Sequence, residues 1–443
     1  MTTTCSGAAR AAVLTLTLSV AVACSTTDST EPADAMSGNR YVQTNLAANS
    51  DEYGAPFTFP AMVNAWGIAN RPKGAGGHFW VGAGGTSFQF VGDVSASPDP
   101  AVQKLSQDGL REVTVPGADS NTTDASIGKI TGVVFNPAPI TSNVFTVGDQ
   151  PVTVDGREQM LTGSSRFIFA TDSGTLSAWT EQAPDGQIVR RDGPAKEVFN
   201  GADQGMAFFG LAISPAGGET LWAADFGNSP QIRQFTKDWT LVPTQGFTNP
   251  FATGAPVDPA DPAKGRQTRP GDPAPFNIAT VGDRVFVTYA VTKSPEDGDP
   301  NTFDAGEEES LDKDQEAATA DTPAKGKIAE FDASGNLARV FDDGGRLNAP
   351  WGVAVAPNDF GPLSGTVLVA NFAGAGRILA FDDATGEFVD YIHDTDGNPI
   401  GIEGIWGLLF GNGESLGDSN ALYFTAGPKD EEDGLFGSLR AQN

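Results

Sequence analysis

The sequence predicts an all-β fold, a six-bladed β-propeller whose ring is closed by the N-terminal strand pairing into the last blade. Three observations predict it. First, the segment 347–392 (LNAPWGVAVAPNDFGPLSGTVLVANFAGAGRILAFDDATGEFVDYI) reads as four short strands, rich in β-branched and aromatic residues and punctuated by Gly, Pro and Asp. Second, these strands grow more polar from first to last, as a blade does when its inner strand is buried and its outer strand is wet. Third, a Trp-Gly or x-Gly step on an apolar inner strand, followed by a second apolar strand, recurs along the chain.

The first copy holds 64–69 (NAWGIA), 78–83 (HFWVGA), 88–94 and 110–115. The second holds 130–137 (ITGVVFNP), 166–172 (RFIFATD), 174–180 (GTLSAWT) and 187–190. The third holds 208–215 (FFGLAISP), 220–225 (TLWAAD), 231–235 and 240–242. The fourth, 276–281 (FNIATV), 284–289 (RVFVTY), 327–331 and 337–341, places Asn277 where other copies have Gly. The segment at 347 is the fifth. The sixth holds 405–410 (IWGLLF), 421–426 (ALYFTA) and 435–439, and 41–46 (YVQTNL) is expected to supply its fourth strand. Pairing the two ends leaves no open strand edge. An extra sheet within 90–126 would raise the count to seven.

Composition limits the partners. The 443 residues carry a net charge of −29, which disfavours nucleic acid and anionic membrane surfaces. The 54 Gly and 30 Pro suit a fold built on many tight turns. The two cysteines are Cys5 and Cys24, and 11–23 is an apolar run of signal-peptide length. Ala21-Val22-Ala23-Cys24 resembles the bacterial lipobox. That resemblance implies a signal peptide over 1–23, lipidation of Cys24, and an exported protein anchored to the bacterial cell envelope. An ordinary secretory signal is the alternative. Polar residues 24–40 read as a flexible tether. Residues 41–443 are expected to form one propeller domain with insertions at 251–275 and 294–324. The second insertion is acidic and suits calcium, a basic partner, or plain solvation.

The stretches YVQTNL, NAWGIA, FIFATDSGTLSAW, LWAADF, NAPWGVAVAP with LVANF, and IEGIWGLLFGNG with LYFTAG occur in one order. Together they resemble an uncharacterised family of secreted bacterial six-bladed β-propeller proteins. More distantly the blades are similar to NHL-repeat and gluconolactonase-like propellers.

In such a ring, loops entering the inner strands and loops leaving the second strands converge on the channel. Asn64, Asn277, Asn348 and Glu403 lie on the first set, and Asp172, Asp225, Tyr289 and Asn371 on the second. Asn64, Asp172, Tyr289 and Asn348 are the candidate ligand-binding residues. The gluconolactonase-like resemblance implies a divalent ion such as Ca²⁺, with Asp225, Asn277, Asn371 and Glu403 as ligands; oxygen donors suit a hard cation. Asn and Asp also serve to bond their own backbone in turns, and both readings stay open. Trp66, Trp351 and Trp406 each precede a Gly and read as core packing or as a ligand platform. The sequence contains no H-E-x-x-H motif and no G-x-S-x-G elbow leading from a strand into a helix (the string GESLG at 413–417 lies in a Gly- and Asp-rich turn), and no catalytic residue is assigned. The expected function is a lipid-anchored binding or scaffold module. It would take a small-molecule, protein or glycan ligand on the channel face, touch the membrane only through its anchor, and act as a monomer. The alternative is a metal-dependent hydrolase or lyase with Glu403 or Asp225 activating water.

Overall fold

A computed structural model describes residues 38–117, 129–183, 185–215, 217–293 and 302–442, all within the compact unit Met36–Asn443. The expected signal peptide 1–23, the lipidation site Cys24 and nearly all of the tether lie outside the described residues. Asn39, at the tether's end, is held in place: its Nδ2 donates to Asp390 Oδ2 at 2.9 Å and to the Tyr391 carbonyl at 2.7 Å.

Six sheets form the ring, antiparallel except where the short strand Phe57–Thr58 pairs in parallel on the outer edge of blade 6. Blade 1 is Ala65–Ala69, Phe79–Ala83, Thr86–Phe90 and Glu112–Thr114. Blade 2 is Ile130–Phe135, Phe167–Thr171, Thr175–Trp179 and Lys196–Asn200. Blade 3 is Phe208–Ile213, Thr220–Asp225, Gln231–Thr236 and Leu241–Val242. Blade 4 is Pro273–Val281, Arg284–Val291, Gly326–Phe331 and Leu337–Val340. Blade 5 is Pro350–Val355, Thr366–Asn371, Ile378–Asp382 and Phe388–Tyr391. Blade 6 is Ile405–Phe410, Leu422–Ala426, Leu435–Ala441 and the first strand, Tyr41–Ala48. The closing pair is antiparallel and runs from Tyr41 opposite Ala441 to Ala48 opposite Leu435, with a register shift between Asn45 and Ala47.

The polarity gradient read from the sequence is a burial gradient. Every residue of the second strands in blades 1, 2, 5 and 6 is buried, whereas the outer strand Leu337–Val340 is almost wholly exposed. Neighbouring blades pack through the glycines of the inner strands. A Cβ on Gly67 would stand 2.7 Å from the Thr131 carbonyl of the next blade, and one on Gly407 would stand 2.6 Å from Ile68. Gly210 is tighter still, since a Cβ there would overlap Asn277 Oδ1. Asn277 thus replaces the expected glycine for a reason: it fills the notch left by Gly210 and donates from Nδ2 to the Trp351 carbonyl at 2.8 Å, tying blades 3, 4 and 5 together.

Some expectations shift. The outer strand of blade 2 is Lys196–Asn200, and 187–190 makes only a bridge from Ile188 to Gln182. A hairpin, Thr146–Val154 with Arg157–Ser164, projects between the first two strands of blade 2. Its turn is Asp155-Gly156, both at positive φ, a favoured two-residue hairpin signal. The described part of 90–126 holds a 3-10 turn and the outer strand of blade 1, with no added sheet.

Candidate functional site

On the upper face the inner strands begin and the second strands end. A concavity of about 440 Å³ opens there over the channel. Its walls come from the two loop sets singled out in the sequence. Lys129 enters the inner strand of blade 2, and Asp172 leaves its second strand. Gly205 to Ala207 lead into blade 3, Asn228 leaves its second strand, and Glu431 leaves that of blade 6. Residues 305–308 of the acidic insertion complete the wall. The insertion is anchored here by the Gly306 N–H on the Phe226 carbonyl, 3.0 Å, and by the Lys293–Glu307 pair, 3.2 Å.

The floor is aromatic. Trp66 stacks on Trp406 at 3.7 Å between centroids, and Phe372 stacks on Trp406 at 3.7 Å. Phe209, Phe276 and Trp351 pack around this stack and seal the channel at mid-height. Trp406 Nε1 donates to Asn64 Oδ1 at 2.8 Å, and Trp351 Nε1 donates to the Phe209 carbonyl at 2.8 Å. Both faces of Trp406 are therefore used by other rings. The floor offers a rigid apolar base rather than an open face for a cation–π contact.

The walls are acidic. Asp172, Glu307, Glu308 and Glu431 line the concavity with Lys129. The Lys129 backbone N–H donates to Asp172 Oδ1 at 2.5 Å, and its ammonium meets Glu431 Oε2 at 3.1 Å. Glu431 is the last of three consecutive residues, 429–431, at positive φ (56°, 53° and 67°). Such a run of non-glycine residues costs about 1–2 kcal/mol per residue. It persists because Lys429 pairs with Glu52 and with Asp433, the latter at 2.9 Å, while Tyr53 Oη donates to Asp433 at 2.7 Å. Backbone strain of this kind concentrates at functional sites. Water reaches Glu308, yet protein surrounds it on most sides. That burial, followed by the charges of Glu431 and Glu307, pushes its pKa up to about 8.

The nominated residues divide. Asp172 lines the concavity, and Asn64 braces its floor by accepting the Trp406 indole N–H. Asn348 and Asn371 do other work. Asn348 exchanges hydrogen bonds with the Leu311 backbone at 2.9 and 3.2 Å, and Asn371 accepts the Asn348 N–H at 3.0 Å while donating to the Arg346 carbonyl at 2.9 Å. Tyr289 is not on the channel. The second strand of blade 4 continues to Val291, so Tyr289 lies within it, fully buried between blades 3 and 4 against Phe251. Burial pushes its phenol pKa well up, and its hydroxyl has no hydrogen-bond partner among the described residues.

The four residues nominated for a metal are also engaged. Asp225 is fully buried, accepts N–H bonds from Ala207 and Gly227 at 3.0 Å each, and pairs with Arg233 at 2.7 Å. Burial pushes its pKa up, while Arg233 pulls against that. Asn277 bonds the Trp351 carbonyl, Asn371 bonds its neighbours as above, and exposed Glu403 pairs with Lys313 at 2.5 Å. Among the described residues no group of three or more His, Cys, Asp or Glu could hold a metal ion.

On the lower face, where the inner strands end, the channel is a second cavity of about 680 Å³ lined by all six inner strands. None of its lining residues is charged.

No family model matches the chain. Three uncharacterized proteins of Acanthamoeba polyphaga mimivirus are similar to it. One is 28% identical over 400 residues, covering 90% of this chain and 78% of the relative. A second is 29% identical over 245 residues, 55% and 38% of the two chains, and a third 33% over 165 residues, 37% of each. Among solved structures, the chain is similar to the Neurospora crassa Pan2 WD40 domain, with TM-score 0.39, 12% identity, and coverage of 92% of this chain and 97% of that one. It is also similar to the WD40 β-propeller domain of Doa1, with TM-score 0.36, 9% identity, and coverage of 85% and 93%. These relatives do not support a place in a secreted bacterial NHL-like family, and the six-bladed propeller stands on the strand order itself.

Proposed function

We propose that this propeller is a binding module whose upper concavity takes an organic cation bearing N–H donors, a protonated amine or a guanidinium. The observation that carries this reading is the charge imbalance at the concavity. Four carboxylates, Asp172, Glu307, Glu308 and Glu431, line it against two ammonium groups, Lys129 in the wall and Lys293 paired with Glu307 at 3.2 Å. Burial chiefly, and then the neighbouring charges of Glu431 and Glu307, raise the Glu308 pKa, so a further cation beside it would be favourable. A cation with donors relieves that repulsion, and charge-assisted hydrogen bonds in a shielded site are strong. The aromatic floor excludes water and gives the aliphatic part of such a ligand a surface. The hydrolase or lyase reading is not favoured, since Asp225 and Glu403 are held by Arg233 and Lys313.

Calorimetric titration with agmatine and cadaverine tests the proposal, with tetramethylammonium as a cation lacking N–H donors. Agmatine and cadaverine are expected to bind with 1:1 stoichiometry and tetramethylammonium at least tenfold more weakly. Glu431→Gln and Glu308→Gln are each expected to weaken agmatine about tenfold or more, the scale of one charge-assisted hydrogen bond. Equal binding of all three cations, or no effect of either substitution, contradicts the reading.

A further inference from the structure

We propose that the lower cavity is a second, separate ligand site, for an uncharged and mainly apolar small molecule. Its volume, about 680 Å³, lies in the range of small-molecule pockets. All six inner strands contribute to its wall, and the aromatic stack closes it above, with Trp351 at the ceiling.

The chemistry of the wall selects the ligand. In a chain that is 19% charged, no Asp, Glu, Lys, Arg or His lines this cavity. The inner strands stand at the edge of their sheets, so their channel-side backbone groups have no strand partner. Side chains of neighbouring blades meet part of that demand. Asn70 Nδ2 donates to the Phe410 carbonyl at 3.1 Å, Thr280 Oγ1 to the Ile213 carbonyl at 2.8 Å, and Asn277 Nδ2 to the Trp351 carbonyl at 2.8 Å. These three amide and hydroxyl groups are thereby turned along the wall. What remains at the wall is chiefly alkyl and aromatic surface, and includes Val355 and Ala279, half-buried residues that also pack on the core between blades 4 and 5. A charged ligand would lose its hydration here and gain no counter-charge, which is costly. An alkyl or ring body with at most a hydroxyl or carbonyl group would bury apolar surface and use the few free backbone groups at the wall. This site does not depend on the cation reading of the upper concavity.

The experiment is a titration of the full chain with 1-decanol and with decanoate, followed by calorimetry and by tryptophan fluorescence, which Trp351 is placed to report. Decanol is expected to bind saturably at 1:1 stoichiometry, and decanoate at neutral pH at least tenfold more weakly. Val355→Lys and Ala279→Phe are each expected to weaken decanol at least tenfold with the thermal midpoint near that of the parent protein. Two substitutions of different kind, one adding charge and one filling space, guard against a variant that fails to fold. Unsaturable decanol uptake, equal affinity for decanoate, or full decanol binding by both folded variants would overturn the proposal. Agmatine titration of the same variants reads the upper concavity separately, so failure of one site is distinguishable from failure of the other.

Discussion

A chain lacking Tyr41–Ala48 is expected to lose its cooperative thermal transition and to aggregate. That strand pairs along its whole length with Leu435–Ala441, and removing it leaves a long unpaired edge on blade 6. Exposed edges of this kind recruit other chains. Packing is lost as well. Tyr41 and Leu46 are buried, Tyr41 lies 4.6 Å from the Phe360 ring, and the Leu363 N–H donates to its hydroxyl at 3.3 Å. Burying one large apolar side chain contributes about 1.5–3 kcal/mol. With the strand ladder added, the loss is roughly 5 kcal/mol or more, against a total stability of about 5–15 kcal/mol for ordinary domains. Calorimetry with light scattering checks this. A sharp transition within a few degrees of the full chain, from a monomeric species, would show that the ring does not need its first strand.

Trp406→Ala is expected to cost about 3–5 kcal/mol in urea unfolding, the usual range for truncating a buried tryptophan. Trp406 is 1% exposed and stacks between Trp66 and Phe372 at 3.7 Å on each side. The substitution removes both stacks and leaves Asn64 Oδ1 without the indole donor it now accepts from. It also opens the floor that separates the two cavities, so agmatine binding should weaken along with stability. Trp406→Phe keeps most of the packing and loses the hydrogen bond, and should cost about 1–2 kcal/mol. A cost below about 1 kcal/mol for Trp406→Ala would mean that the stack is not structural.

The ring was legible because its repeated step is physically obligatory. Gly67, Gly132, Gly210, Gly352 and Gly407 sit where a side chain would strike the next blade, so the x-Gly step marks each inner strand except that of blade 4. There Asn277 does the spacing and bridging instead, and the copy still reads through its second strand. The hairpin at 146–164 was legible in principle from Asp155-Gly156 but stands outside the repeat. The site was only partly legible. The loop rule reached Asp172 and Asn64, but it also selected Asn348 and Asn371, whose amides fasten the acidic insertion and the start of blade 5. Tyr289 misled because strand ends are the least certain feature of a sequence reading, and two more residues of strand moved it into the core. Lys129, Glu308 and Glu431 come from three distant segments, and their meeting depends on how the insertion folds back over blade 3. Nothing in the spacing of the carboxylates from 304 to 321 distinguishes Glu308 from its neighbours.

The most direct measurement of the cation site is an NMR titration of the Glu308 side-chain carboxyl, with and without saturating agmatine. Burial, with the charges of Glu431 and Glu307 beside it, is expected to hold the Glu308 carboxyl up to about 8 in the free protein. Because the cation favours the ionised form, its presence should lower that value by at least one unit, and agmatine affinity should rise with pH up to about 8 and level off above it. The same raised value means that Glu308 costs stability progressively as pH climbs from the ordinary glutamate range to about 8, a slope that Glu308→Gln should remove. A Glu308 carboxyl that titrates in the ordinary range, or one that agmatine leaves unmoved, would contradict a cation-binding mouth at this end of the channel.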